Sequence, residues 1–439
     1  MSSNFVTSEM TIKDLLIHRT GAKNQDFPII TLLANITTER YARRLKHLPL
    51  TTPFRDGWSY SNFMYMIAGH VAEVIGGKKY EELVKEKLFT PLGMNASIFL
   101  SDATSRDEHF AYPYFEFNGT LRFQEKDFLL YRLGEFSPTG GLWSSAKDLS
   151  KWMTFLLGNG TTENGYTLIK KNVFDEMFKP HISLPSGVID DFSLIKPFPV
   201  VSSTSWYGYA WFGRNYRGHR ALFHTGSYHA YSTVISLHPQ AKSGFLMFVN
   251  GPWPISYNRD LEPLSYFIAD ILLQEEPWLN VSTVCTFPEP WKERPTPRNN
   301  TDEKLPADDY DVSRYLGHYG HRLNGEVVIN EGSPYSKMSF QVNSVGEGNL
   351  TLMSLNTSTF RMDFTGGLAL VFGSSCTAQF DDVSNDRFQK LQLNCFGSFD
   401  YQRGVSFLTD ELPSPSAVEI PVYSVSAILA CLLLSSAFM

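Results

Sequence analysis

Two short runs carry residue types suited to carbonyl chemistry. Tyr60-Ser61-Asn62 sets a phenol and an amide two positions apart, directly ahead of an apolar run. If the three residues are extended, both side chains leave the chain on one side, because side chains alternate along a strand. A phenol and an amide would then face one cleft from a rigid support. The tripeptide also reads as a core aromatic beside a helix-capping asparagine. The second run is His224-Thr225-Gly226, followed by Ser227, in a β-rich stretch. A glycine there lets a substrate backbone approach closely. A strand-end histidine satisfied within the fold is the alternative.

The elements around these runs follow from periodicity. Tyr60, Phe63, Met64, Ile67, Val71, Val74 and Ile75 recur at three- and four-residue spacing, which predicts one buried helix face. Gly76-Gly77 ends that helix, since glycine accepts the left-handed cap. Thr11 opens a short helix over residues 11–18, with Asp14 in a capping-box position. Residues 78–89 and 146–157 give further amphipathic helices. Residues 206–250 break into short β-rich runs separated by turn residues, a pattern that predicts an antiparallel meander. Leu261, Leu264, Phe267, Ile268, Ile271 and Leu272 predict a covering helix.

These runs resemble the serine β-lactamase-like family, the class C β-lactamases, penicillin-binding proteins and related esterases. The phrase from Gly57 to Met94 is similar to the family's Tyr-x-Asn region, through Pro91-Leu92-Gly93-Met94. Thr11 to Gly21 resembles the phrase that follows the family's catalytic helix. Gly140-Gly141-Leu142 with Asp148-Leu149, Tyr207-Gly208, His224-Thr225-Gly226 and Val249-Asn250 follow in family order. The resemblance covers roughly residues 11–275. It implies an α/β (α+β) fold with an antiparallel sheet flanked by helices, and hydrolysis of an amide or ester through an acyl-serine. By resemblance, Tyr60, Asn62 and His224 are catalytic accessories, His224 orienting the substrate or relaying a proton. Thr225, Gly226 and Ser227 bind substrate, the Ser227 N–H supplying half of an oxyanion hole.

The nucleophile of such a site is a Ser-x-x-Lys, with both residues on one helix face. The resemblance implies that it precedes Thr11, and residues 1–10 contain no lysine. Ser144-Ser145-Ala146-Lys147 has the spacing, but its neighbours match a different family segment. The expectation is therefore no acyl transfer by this polypeptide as written. A start short of the natural one is favoured over a genuine non-catalytic relative. The alternative function is a cell-surface ligand-binding or structural glycoprotein on the same fold.

Composition narrows the rest. A chain of 439 residues, 43% hydrophobic and 19% charged, is ordinary for a globular protein of more than one domain. A formal net charge of −7 with no basic tract argues against nucleic-acid partners. No cofactor is indicated. His318 and His321 lack a third ligand, so no metal site is expected. The expected partners are a small-molecule or peptide ligand in the cleft and a membrane.

The expected domains are residues 1–275, a Pro-rich linker over 276–307, a small β-barrel-like domain over 308–405, and a spacer with a hydrophobic tail over 406–439. Residues 420–439 are long enough to cross a bilayer as a helix or to serve as a GPI-attachment signal, with a buried helix of a soluble fold as the alternative. Sequons at Asn35, Asn95, Asn118, Asn159, Asn280, Asn299, Asn349 and Asn356 favour the secretory pathway and an extracellular location. No signal-peptide-like apolar stretch is visible at the first residues. Cys376 and Cys395 flank a hairpin and are placed to form a disulfide.

Overall fold

The computed structural model describes residues 4–22, 24, 37–100, 110–117, 119–123, 137–191, 193–228, 230–252, 260–293, 310–332, 336–366, 368–369, 376–395, 397–407 and 428–432. The α/β architecture is a helical part packed against an antiparallel sheet, followed by an all-β barrel.

The sheet is a meander of six strands, each hydrogen-bonded to its sequence neighbour: β1 (Ile182–Ser183), β2 (Ser202–Tyr207), β3 (Phe212–Tyr216), β4 (His219–Tyr228), β5 (Tyr231–His238) and β6 (Ser243–Val249). The β3 ladder ends at Phe212 opposite Phe223. The β5 ladder runs on to Tyr231 opposite Tyr228. The stretch from His224 to Tyr228 thus pairs on the β5 side and outruns β3 on the other.

Two helices place the first sequence run. Helix α1 (Ile12–Leu16) starts with the predicted capping box, Thr11 and Asp14 bonding each other's backbone. Helix α2 (Asn62–Gly76) is buried along its N-terminal two-thirds and stops at Gly77, φ 66°, whose N–H reaches the Glu73 carbonyl. Gly69 allows a close crossing, since a Cβ there would stand 2.2 Å from the Pro138 ring. Asn62 is not the cap of α2: Ser61 holds that position in extended conformation, and Asn62 is the first helical residue.

Helix α3 (Ala146–Leu157) begins at Ser145, whose hydroxyl accepts the Asp148 N–H. Helix α4 (Glu262–Leu272) lies over the sheet and is tied to β3 by a buried ion pair. Arg214 Nη2 stands 2.8 Å from Glu262 Oε1, and Arg214 Nε donates to Thr204 Oγ1.

The expected linker is shorter than its composition suggests. Residues Val281–Thr286 form helix α5, capped by Asn280. Trp278, Phe287 and Trp291 pack with Phe198 into a core shared with α4. The prolines that read as a linker include Pro288 and Pro290 just beyond the helix, where proline punctuates rather than extends the chain. Residues 294–307 lie outside the described residues.

Eight strands between Gly317–His321 and Ser398–Arg403 close into an antiparallel barrel. Alternate residues point inward, among them Val327, Phe340, Phe360, Met362, Leu391 and Phe399. Eight strands enclose just enough room for such side chains, so the interior is a packed core. Cys376 and Cys395 are joined in a disulfide.

Of the expected hydrophobic tail, only residues 428–432 are among the described residues. Residues 428–432 are helical and buried within the core of the helical part, Leu429, Ala430 and Leu432 at 0% exposure. The rest of 408–439 lies outside the described residues. Among the described residues, no helix is long and apolar enough to cross a membrane.

Candidate active site

The first half of the site is laced together by Asp14. Its carboxylate is fully buried and accepts from Thr11 N and Oγ1 at 2.8 and 2.7 Å. Arg55 grips it through Nε and Nη2 at 3.1 and 2.9 Å, and Arg19 joins from the other side. Burial opposes the charge, but the hydrogen bonds from Arg55, Thr11 and Arg19 outweigh it and hold the carboxyl well below its usual range. The clamp fixes the 55–61 loop against α1. Ser59 N–H donates to the His18 carbonyl at 2.8 Å, and Ser61 N–H donates to His18 Nδ1 at 3.2 Å.

His18 therefore sits at the centre of the site. Its backbone is in the left-handed region, φ 55°, a conformation that costs a non-glycine residue about 1 kcal/mol or more and persists only where the surroundings demand it. Its ring lies 4.3 Å from Tyr60, 4.9 Å from Tyr65, 5.2 Å from Tyr207 and 6.0 Å from Trp58. Complete burial, reinforced by His224, drives its pKa well below 6.5, so the ring is neutral. With Nδ1 accepting from Ser61, the proton resides on Nε2.

The second half comes from the sheet. His224 is buried on β4, and Tyr60 stands 6.3 Å from it, ring to ring. His224 Nδ1–H donates to the Thr225 carbonyl at 2.8 Å, which leaves Nε2 to accept from the Tyr207 hydroxyl at 3.2 Å. Burial lowers the His224 pKa to about 4. The Tyr207 phenol is pushed well above 10 by burial and by the nearby Tyr65 and Tyr60 hydroxyls. Cys431, in the buried tail segment, adds to that push and is also felt by Tyr65 and Tyr209. The result is a neutral hydrogen-bonding surface of two imidazoles and several phenols.

Structure thus brings Tyr60 and His224 together. Asn62 is buried at the start of α2, one position past the cap. Thr225 is half-buried, Gly226 buried and Ser227 exposed. All three lie where β4 outruns β3, on a strand edge that can receive a ligand backbone. His18, Tyr207, Tyr65 and Trp58 also belong to the site, though the sequence motifs assign none of them a role in it. His18 and Tyr207 each lie inside phrases quoted above, but nothing in the spacing says that residues 18 and 207 meet. Among the described residues no cluster of side chains could hold a metal ion. Of the sequons, Asn95, Asn159, Asn280 and Asn356 are exposed and Asn349 is half-buried on a barrel strand. Asn35, Asn118 and Asn299 lie outside the described residues.

Comparison with known proteins identifies the family. The family model described as Beta-lactamase matches residues 4–268. The unguisins hydrolase ungD' of Aspergillus campestris (strain IBT 28561) is 27% identical over 293 residues, 63% of this chain and 49% of that protein. Gigasin-6 of Magallana gigas is 32% identical over 149 residues, 34% of this chain and 48% of that protein. The chain spans about half the length of the curated relatives it matches. Among solved structures, an octameric penicillin-binding protein homologue from Pyrococcus abyssi is 18% identical, with 90% of this chain and 78% of that one covered and a TM-score of 0.49. The family match extends over more than half of the sequence, and the chain belongs to the beta-lactamase family.

Proposed function

We propose that this beta-lactamase-family domain binds an amide or ester compound against the β4 edge and, with the residues described, does not carry it through acyl transfer. One observation carries the reading. Among the described residues, the ionisable groups found beside Tyr207 are His18, Tyr60, Tyr65, His224 and Cys431, and none of these is a lysine. Acyl transfer by this family's route needs a serine hydroxyl made nucleophilic by a base. Here burial lowers the pKa of both imidazoles, which makes them weak bases, and the Tyr207 phenol is held further from ionisation, not closer. The open edge past Thr225, where β4 outruns β3, suits binding of a carbonyl compound or an extended peptide. The test is hydrolysis of p-nitrophenyl butyrate by the purified polypeptide. No turnover above the background of the assay is expected. Turnover abolished by a serine-directed reagent would overturn the proposal.

A second reading is favoured by the intact grouping of His18, Tyr60, Tyr207 and His224, and by the hydrolase activity in the names of its relatives: an active hydrolase whose nucleophile lies outside the described residues. The same assay decides between them. We also place the protein at the cell exterior, tethered or secreted, because exposed Asn95, Asn159, Asn280 and Asn356 all lie in sequons. At Asn280 the cap uses the amide oxygen, with bonds of 2.9 and 3.0 Å to Ser282 and Thr283 N–H, and leaves the nitrogen for a glycan. Expression through a secretory pathway should give a product that shifts in mass on deglycosylation. An unshifted product would reject this placement.

A further inference from the structure

A cavity of about 600 Å³ opens between the N-terminal end of α3 and the far ends of β4, β5 and β6. It is separate from the His18 cluster: the residues that line it include Tyr228 but not Tyr60, Tyr207 or His224. Five aromatic rings surround it, Phe110, Trp143, Tyr228, Tyr231 and Phe248. Trp143 stands edge-on to both Phe110 and Tyr231, at 5.0 and 5.1 Å. Such a size and a mainly apolar lining with few polar groups are the features of a small-molecule site.

The polar groups in the wall can be assigned proton by proton. Ser97 Oγ donates to Asp148 Oδ2 at 2.9 Å. Its proton is thereby spent, so the 2.7 Å bond between Ser97 and Ser144 must be donated by Ser144. Tyr231 spends its hydroxyl proton on the Ala111 carbonyl at 2.6 Å, and Asn250 Nδ2 donates to the Tyr112 carbonyl at 2.8 Å. Ser145 turns its oxygen to the helix, accepting the Asp148 N–H. Ser144 Oγ, its proton given to Ser97, is left with a lone pair. Thr233 Oγ1 is buried without a protein partner and can turn its hydroxyl either way. Among the described residues that line the cavity there is no Asp, Glu, Lys, Arg or His. Asp148 stands behind the wall, compensated by Ala96 N–H and Lys151.

We propose that this cavity is a binding site for an uncharged, largely aromatic molecule that carries a hydroxyl or N–H donor, received by Ser144 Oγ. The rings supply apolar contact, and the lone pair selects a donor. A carboxylate would lose its hydration with no cation among the described lining residues to replace it. The assignment goes beyond the proposed cleft function and stands whether or not the chain turns over an ester.

Three naphthalenes of one shape test it by calorimetric titration at pH 7: 2-naphthol, 2-methoxynaphthalene and 2-naphthoate. 2-Naphthol should bind saturably at one site. 2-Methoxynaphthalene, which has no donor, should bind about 5- to 10-fold more weakly, the worth of one net hydrogen bond. 2-Naphthoate should show no binding in the same range. Ser144→Ala should reduce 2-naphthol to the level of 2-methoxynaphthalene and leave the latter unchanged, with the thermal unfolding curve confirming that the variant is folded. The proposal is overturned if naphthoate matches naphthol, if the methoxy compound binds as well as the naphthol, if Ser144→Ala changes neither, or if no compound saturates.

Discussion

Acid should destabilise this protein through His224 before it acts on most carboxylates. The ring is 2% exposed, and burial lowers its pKa from 6.5 to about 4. Between those values the unfolded chain carries a proton at this residue that the folded chain does not. Stability therefore falls as pH falls through that window and is fully present above 6.5. Linkage makes the loss from His224 alone roughly 3 kcal/mol by pH 4. His18 and His238 are shifted in the same direction by burial, so the wild type falls further still. The informative quantity is thus the difference in slope between wild type and His224→Gln, whose amide can still bond Tyr207 but cannot titrate. Between pH 7 and 4.5 the variant should lose less stability than the wild type, by roughly 2–3 kcal/mol. All eight tryptophans lie at or before residue 291, ahead of the barrel, so tryptophan fluorescence in urea reports the helical part and its sheet. Parallel pH dependences in the two proteins, or an NMR titration of the His224 imidazole itself near 6.5 in the folded state, would refute the burial argument.

Three further outcomes follow from other parts of the molecule. Asp14→Asn keeps the cap but removes the charge gripped by Arg19 and Arg55. These partners are partly exposed, at 27% and 37%, so a cost of about 2–4 kcal/mol at pH 7 is expected. Because the folded pKa of Asp14 is depressed, the gap to wild type should be constant above about pH 5 and narrow as pH falls below about 4; a gap independent of pH would count against the clamp. Glu262→Ala strands the buried Arg214 guanidinium and deprives Tyr266 of its 2.7 Å acceptor. A loss of about 3–5 kcal/mol in the same urea assay is expected, and a loss under 1 kcal/mol would show that Arg214 finds another partner. Cys285 is exposed, while the Cys431 thiol is buried and its pKa pushed up. A thiol reagent should modify one cysteine rapidly in the native protein and the second only on unfolding; equal rates would mean that 428–432 leave the core in solution.

The parts legible in the sequence were those in which local pattern and tertiary role coincide. The capping box at Thr11, the Gly77 stop and the period-two alternation of the barrel strands are each set by neighbours a few residues away, so the chain displays them without its fold. Asn62 shows how narrow that margin is. Ser61 and Asn62 are both good caps, and the choice between them rests on Ser61 N–H meeting His18, 43 residues upstream. The site was half legible for the same reason. Tyr60 and His224 stood in recognisable phrases, while the contacts of His18 with Tyr60 and Tyr207 exist only after the 55–61 loop is clamped to Asp14 and the sheet is laid beside it.

The tail shows a different limit. Burying Ile428, Leu429 and Leu432 removes apolar surface from water at roughly 25 cal/mol per Å² whether the new surroundings are lipid chains or leucine side chains. Hydropathy measures departure from water and is silent on destination. What separates the two is the backbone and the polar atoms. A bilayer demands a helix of about 20 residues with every N–H satisfied within it. A protein core can accept one helical turn, provided its neighbours match it in shape. Residues 428–432 are one such buried turn, in the same core as Tyr65, with Cys431 near Tyr65 and Tyr207. The same segment cannot lie in lipid while it fills that position. Any membrane attachment made through these five residues must therefore withdraw Cys431 from the tyrosines. The core beside Tyr65 and Tyr207 would then have to repack, and attachment and the packing of the candidate site become a single equilibrium.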